Sequence, residues 1–431
     1  MQSIINKKLC VIAIDRAKKD AADSCLKLKK EFGLEVNPYL LVNKDFKKSP
    51  AYKGDEASGY FEEIVLDFDD KITLKKTVDD ITKDSDITVV HCIIEAAMGD
   101  CASVITYVKN GYCQTPLSLE TASEKSKMRE AFMANFPEIT PKFVNIRNIR
   151  SLETTDLKDF SYPLIIKPNG LTSSFLVIKC DNFNELAQNV SIAFSEIDKV
   201  YQREHGVGDK SILIEEFIEG DMYSVDAFVM ADGKTMHFMP LVRVVTANDV
   251  GLEGFYGYQR ILPVELNATE RTLAEECASK AMQAVGLKSS AAHVELYQTR
   301  NGWKVVELGP RIGGYRQELY KLAYDLDNFY NDFLTHLNIP PIVSSEPIGF
   351  AAAINIYPDK TGVISSMNGI DEAGKLGSLF SLKTHAKVGD LSKPAVNGGK
   401  YVVDAILHSK TEDELLQDIK RLRGLVQVDI T

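Results

Sequence analysis

The chain has 431 residues, a formal net charge of −11 and 26% charged residues. That length calls for two or three substructures rather than one core. The acidic balance, with no long basic block, argues against a nucleic-acid partner, and no apolar run approaches the roughly 18 residues that cross a bilayer.

Met1 to Leu9 lacks the sustained apolar stretch and the small-residue cleavage site of a secretory signal. The seven cysteines are dispersed, without CxxC or zinc spacing, which fits reduced thiols in a cytoplasmic protein. The seven histidines are dispersed as well, and HExxH is absent.

In chain order, LCVIAI (Leu9 to Ile14) reads as a buried strand and Asp20 to Phe32 as a helix. NPYLLV, EIVLDF and ITVVHCII read as further strands, so the first segment is a small Rossmann-like α/β layer with parallel strands. No GxGxxG turn follows the first strand, which removes the main support for a dehydrogenase. SLETASEKSKMREAFMANF predicts one helix from near Ser118, with Pro116 just before it. PLIIKP (Pro163 to Pro168) and FLVIKC (Phe175 to Cys180) predict a hairpin around NGLTSS, and ELAQNVSIAFSEI the helix after it. ILIEEFIEG predicts a strand stopping at Gly220, and SVDAFVMADGKTMHFMPLV a hairpin turned at Asp232-Gly233. Thr269 to Val285 reads as a helix, AAHVELYQTRNGWKVVEL as a hairpin tipped by Asn301-Gly302, and Gln317 to Leu337 as one helix. Pro340-Pro341 and the run to Pro347 mark a boundary before a small α+β cap with one amphipathic helix, Glu412 to Arg423. The expected division is an N-terminal domain over 1–117, a central domain over 118–340 in two α+β lobes (118–209 and 210–340), and the cap over 341–431.

The chemistry concentrates in the second half of that plan. Pairing through Asn301-Gly302 sets Glu295 roughly opposite Glu307. Two carboxylates side by side repel by up to about 1 kcal/mol, and a cation between them relieves this. Oxygen ligands favour Mg²⁺ held partly by phosphate oxygens; two solvent-facing glutamates on an edge hairpin are the alternative. Lys167 ends an apolar strand and needs a partner there, which a nucleotide phosphate would supply. Lys125 reads either as a second phosphate contact or as part of a solvated SEKSK face. The Asn169 to Ser174 turn offers backbone and hydroxyl donors. The extended ILIEEFIEG segment offers backbone groups to an adenine edge.

These pieces, E-K-x-x-M-R at Glu124 to Arg129, II-K-P at Ile165 to Pro168, E-E-F-I-E-G at Glu215 to Gly220, Y-S-V-D at Tyr223 to Asp226, H-V-E at His293 to Glu295 and V-E-L-G-P-R-I-G-G at Val306 to Gly314, resemble in order and spacing the ATP-grasp superfamily. The flanking segments resemble those of its biotin-carboxylase-like and amino-acid-ligase branches. The resemblance implies an N-terminal Rossmann-like (pre-ATP-grasp) domain and a central ATP-grasp domain with a smaller lid lobe. It implies Lys125, Lys167, Ser173 and Ser174 at the phosphates of ATP, and Glu215 with the backbone of Glu216 and Ile218 at the adenine. Glu295 and Glu307 would hold Mg²⁺, with Mn²⁺ as a substitute. Arg311 would contact the acyl phosphate or the substrate carboxylate, and His293 would orient substrate. The implied activity is ATP-dependent joining of a small-molecule carboxylate to an amine through an acyl phosphate; a homodimer is compatible with the family.

Three departures stand out. Gly309 replaces the Asn of E-x-N-P-R, Met222 replaces an acidic residue that often contacts ribose, and Phe175 falls near a usual loop glycine. The amino-acid-ligase branch tolerates loss of the Asn, so that branch is favoured. A biotin-carboxylase-like or purine-pathway ligase and a non-catalytic ATP-binding protein with a decayed site are the competing readings. Arg243, Tyr256, Tyr258 and Arg260 are candidate substrate contacts in Val242 to Pro263.

Overall fold

The structure is a computed structural model that describes residues 4–49, 52, 56–171, 175–204, 206, 208–395 and 399–431. The first domain is a four-stranded parallel sheet in the order Glu62–Leu66, Glu35–Asn43, Lys8–Ile14, Ile87–His91. Its central strand is almost wholly buried because both faces are covered, as parallel sheets require. One hydrophobic cluster runs from Leu9, Val11 and Ala13 of that strand to Phe329 and Phe333 of the helix Asn328–His336. His91 and Asp332 add a buried 2.6 Å hydrogen bond across the same contact.

A second sheet, antiparallel, carries the strand order Phe143–Ile146, Ile212–Glu216, Leu164–Pro168, Ile178–Cys180. The helix Phe183–Glu204 packs on it. Ile212–Glu216 lies beyond the expected lobe boundary at 209, yet all its ladder partners are in this sheet, so the smaller lobe extends to Glu216.

The third sheet has nine strands. Its main path is Gly302–Gly309, Ser290–Thr299, Asp221–Val229, Val242–Thr246, Gly257–Leu262, Phe350–Ile356, Val403–Ser409 and Leu379–Thr384, with Met236–Phe238 paired to Asp221–Val229. The last three strands of the path come from 341–431 and continue the same ladder through Gly257–Leu262. A small sheet of Leu391–Ser392, Gly362–Asn368 and Gln427–Ile430 accompanies the helix Glu412–Leu425.

Two predicted helices are each broken into two. The first is Pro116–Ser123 followed by Lys125–Asn135, with Glu124 extended at φ −110°, ψ 114°. Pro116 occupies the first turn, after a Thr115 cap, rather than preceding the helix. The break allows Asn169 to cap the second helix: Ser126 N donates to Asn169 Oδ1 at 2.7 Å, and Lys125 N to Asn169 O at 3.2 Å. Met128 and Phe132 of that helix pack among Val225, Val294 and Val305 of the nine-stranded sheet, so it belongs to the larger lobe and not to the lid at 118–209. The other break separates Arg316–Tyr324 from Asn328–His336, where Asp325 turns left-handed (φ 55°) and Asp327 caps the next helix.

Candidate active site

A cleft opens between the smaller lobe and the nine-stranded sheet. It is lined by Lys125, Lys167, Glu215, Phe217, Ile218, Glu295 and Glu307. The strand Leu164–Pro168 delivers Lys167 into it at the ladder position facing Leu213. Lys125 begins its helix at the Glu124 break and is buried, which excludes the solvated-face reading. Its Nζ donates to Leu171 O at 2.6 Å and lies 2.8 Å from Glu307 Oε1.

Glu215 is the hub of a buried ion network. Arg129 Nε meets Oε1 at 2.7 Å, and Lys167 Nζ meets Oε2 at 2.6 Å. The Arg129 guanidinium also donates to Val305 O and Val306 O, tying the network to the hairpin that carries Glu307. Burial raises the pKa of Glu215, but Arg129 and Lys167 outweigh it and hold the carboxyl down at about 2. Burial likewise pushes the Lys167 ammonium below its ordinary range. Glu216 lines the cleft from the end of the same strand. Ser173 and Ser174 lie outside the described residues.

Glu295 and Glu307 are direct cross-strand partners, and a bulge after Glu295 absorbs the unequal spacing on the two sides of the turn. Among the described residues no group of three or more His, Cys, Asp or Glu is disposed to hold a metal ion. Two facing carboxylates are nevertheless a donor set that suits Mg²⁺, which takes one or two protein carboxylates and completes its shell with water and phosphate oxygens.

His293 lies two residues before Glu295 and points to the same face of the sheet. Its Nδ1 bonds Asp226 Oδ1 at 2.6 Å, and its Nε2 lies 3.6 Å from Glu295 Oε1. Gly313 N donates to the other Asp226 oxygen at 3.0 Å, and a Cβ on Gly313 would fall 2.4 Å from His293 Nδ1. Burial lowers the imidazole pKa, but Asp226 outweighs it and the net shift is upward from 6.5. The pair's contribution to stability is therefore complete below pH 6.5 and is lost as pH rises through the raised folded value. Asp226→Asn is expected to move the His293 titration down, read by imidazole NMR, and to remove this component of the stability–pH profile; an unmoved titration would contradict the coupling.

Arg311 is not free. Its Nε lies 2.6 Å from Glu95 Oε2, a carboxylate supplied by the first domain. Glu95 also accounts for Gly309, because a Cβ at 309 would fall 2.8 Å from Glu95 Oε2. Met222 is buried on the cleft wall, and the acid beside it, Asp221, is turned to Arg243 at 2.6 Å. Phe175 is buried on the wall too.

The cleft continues past Glu295 and Glu307 into a more polar cavity, walled by Glu95, His293, Arg311 and Arg316 and by Asn355 and Tyr401 of the C-terminal segment. Of the four candidates in Val242 to Pro263, Tyr256 and Arg260 line this cavity. Tyr258 instead faces Arg423 at 4.9 Å, and Arg243 is bound to Asp221. Sequence reasoning gave no role to Arg129 and Asp226, although both stood inside quoted motifs, and it missed Glu95 altogether.

Residues 160–318 match the ATP-grasp domain, and residues 355–431 match the L-amino acid ligase C-terminal domain 2. The central part of the chain, residues 160–318, is an ATP-grasp domain. The C-terminal segment is of the kind found in L-amino acid ligases. The alanine–anticapsin ligase of Bacillus subtilis (strain 168) is 24% identical over 271 residues, 56% of this chain and 53% of that protein. The chain spans about half the length of the curated relatives it matches. The L-amino acid ligase from Bacillus licheniformis superposes with a TM-score of 0.75 at 19% identity, covering 99% of both chains. The N5-carboxyaminoimidazole ribonucleotide synthetase from Thermotoga maritima superposes at 0.63 and 19% identity, covering 99% of this chain and 100% of that one. These likenesses establish the ATP-grasp fold. No helix among the described residues is long and apolar enough to cross a membrane.

Proposed function

We propose that the protein joins a carboxylate to an amine at the expense of ATP, with amino-acid-like substrates. The observation that carries this reading is the meeting point of the two cavities. There Glu295 faces Glu307, Lys125 reaches Glu307, and Arg311 stands on the exit of the same hairpin. The match of 355–431 to the L-amino acid ligase C-terminal domain supports the amino-acid branch over a bicarbonate-dependent or purine-pathway ligase.

In this reading the adenine lies along Glu216 to Ile218, where backbone groups read its edge. Both oxygens of Glu215 are taken by Arg129 and Lys167, so its part is to fix Lys167 near the phosphates. Lys125 and Lys167 balance phosphate charge, with Ser173 and Ser174 as further donors. Glu295 and Glu307 would hold Mg²⁺, or Mn²⁺ in its place, which supplies charge neutralisation on the transferring phosphoryl group when bound. A carboxylate oxygen attacks the γ-phosphorus and ADP leaves. The amine nitrogen then forms the C–N bond as the C–O bond to phosphate breaks. The products are an amide, ADP, inorganic phosphate and one proton for each ammonium consumed. Arg311, held by Glu95, stabilises the oxyanion at the acyl carbon. His293, held in orientation by Asp226, positions substrate. The reaction is proposed for the cytoplasm, and for a homodimer that sedimentation would test.

The decisive experiment is an ADP-release screen over pairs of amino acids, with a bicarbonate arm. ADP formation dependent on a carboxylate and an amine is the expected result. ADP formation that needs bicarbonate would replace the reading, and tight ATP binding with no turnover on any pair would indicate a binding protein instead.

A further inference from the structure

The polar cavity contains a cation, Arg260, for which the reaction above has no task. Arg260 stands on the strand Gly257–Leu262, opposite Ala353 of the C-terminal segment. Its Nη1 donates to Gly257 O at 2.8 Å and to Asn355 Oδ1 at 3.2 Å, both neutral acceptors. The ring of Tyr315 covers one face at 5.7 Å. The other arginines of this cavity have acids beside them: Arg311 has Glu95 at 2.6 Å, and Arg316 has Asp226 at 3.9 Å with Ser224 Oγ at 2.6 Å. Among the described residues, Arg260 has no carboxylate in ion-pair contact.

The position is built rather than incidental. A Cβ on Gly257 would fall 2.6 Å from Arg260 Nη2, so glycine makes the space that the guanidinium fills. Burial, and then the neighbouring Arg316, push its pKa below the ordinary arginine value. Glu295, which lines the same cavity, offsets only part of this, and a half-buried cation bonded only to neutral acceptors favours an anion that comes with the ligand. A guanidinium fork matches a carboxylate in two parallel hydrogen bonds. Glu295 and Glu307 border both cavities, whereas Arg260 borders only the one remote from the nucleotide side. An anion at Arg260 is therefore set apart from the carboxyl that meets the γ-phosphate.

We propose that Arg260 binds a substrate carboxylate that does not react, and so selects substrates that carry one. This rests on the ligase reading. The carboxylate has two sources: the α-carboxylate of the acceptor amino acid, or the second carboxylate of a dicarboxylic donor.

The test uses the full chain and the most productive pair from the ADP screen. In one arm each acceptor amino acid is compared with its carboxamide; in the other, glutamate and aspartate are compared with glutamine and asparagine as donors. Wild type should favour the acid in one arm by about a hundredfold in kcat/KM or more, since a site built for polar contacts rejects the analogue that lacks them. Arg260→Met should collapse that preference to near unity, mainly through KM, with the KM for ATP unchanged. Arg260→Lys should restore part of it. Gly257→Ala, which displaces the guanidinium but keeps its charge, should weaken the same preference and provides an independent variant should Arg260→Met fail to fold. The arm that collapses identifies the source. Equal losses for acid and neutral analogue, or preferences intact in both arms, would overturn the assignment. If wild type turns over no pair at all, the ligase reading falls, and the assignment falls with it.

Discussion

Glu307→Gln is expected to lower carboxylate-dependent ADP formation by at least about a hundredfold. Loss of a residue that merely supports a metal ligand costs about 10- to 100-fold, and Glu307 is proposed as a ligand itself. The substitution keeps the volume and removes the charge. It leaves Glu295 without its cross-strand partner carboxylate and Lys125 without its acid at 2.8 Å. The side chain is 35% exposed to the cleft, so the fold should tolerate the change, and the melting temperature should move little. The checking measurement is the ADP rate across a Mg²⁺ titration. A metal-ligand role predicts a raised Mg²⁺ requirement together with the lower rate. A rate within a few-fold of wild type at every Mg²⁺ concentration would remove Glu307 from the mechanism.

Arg129→Met should produce the largest stability loss. Arg129 is fully buried, satisfies Glu215 through two nitrogens, and caps two backbone carbonyls of the hairpin. Removing one partner of a buried ion network costs about 3–5 kcal/mol, because a charge is left behind without its counter-ion. Here Glu215 retains Lys167 alone, and Lys167 is drawn further toward Glu215 and away from a phosphate. Chemical denaturation should show the destabilisation, and the KM for ATP should rise with it. The double variant Arg129→Met/Glu215→Gln should lose less stability than the two single losses added together, since the two side chains share one buried contact. If the double variant is less stable than wild type by the full sum of the two single losses, the network account is wrong.

How much of this was legible in the sequence depended on whether the signal was local. The Glu295–Glu307 pairing could be read because the Asn301-Gly302 turn fixes the register of one hairpin. The first strand and its helix could be read because apolar runs and helical periods do not depend on distant partners. The break at Glu124 could not, since helical spacing continues through SLETASEKSKMREAF and the break is set by Asn169, which arrives from the turn after Leu164–Pro168. The same holds for Asp325, where nothing forbids a continuous helix until the first domain packs on Asn328–His336. Glu95 shows the limit most clearly: in HCIIEAAMGD it is one glutamate among many, and only the docking of the first domain sets it against Arg311 and Gly309. Arg260 was one of four equal candidates in the sequence. That its guanidinium bonds only neutral acceptors is a property of the cavity and not of the strand that bears it.

The ladder from Gly257–Leu262 to Phe350–Ile356 has a consequence for how such a protein can be divided. A chain ending near residue 340 would leave Gly257–Leu262 as a bare sheet edge, the kind of surface that recruits other chains and aggregates. It would also strip away Asn355, Tyr357 and Tyr401, which close the polar cavity. The terminal segment is thus not a detachable module added to a finished sheet. Recombination could exchange it only together with the strand it pairs with, so the wall of the substrate cavity and the edge of the sheet are inherited as one unit.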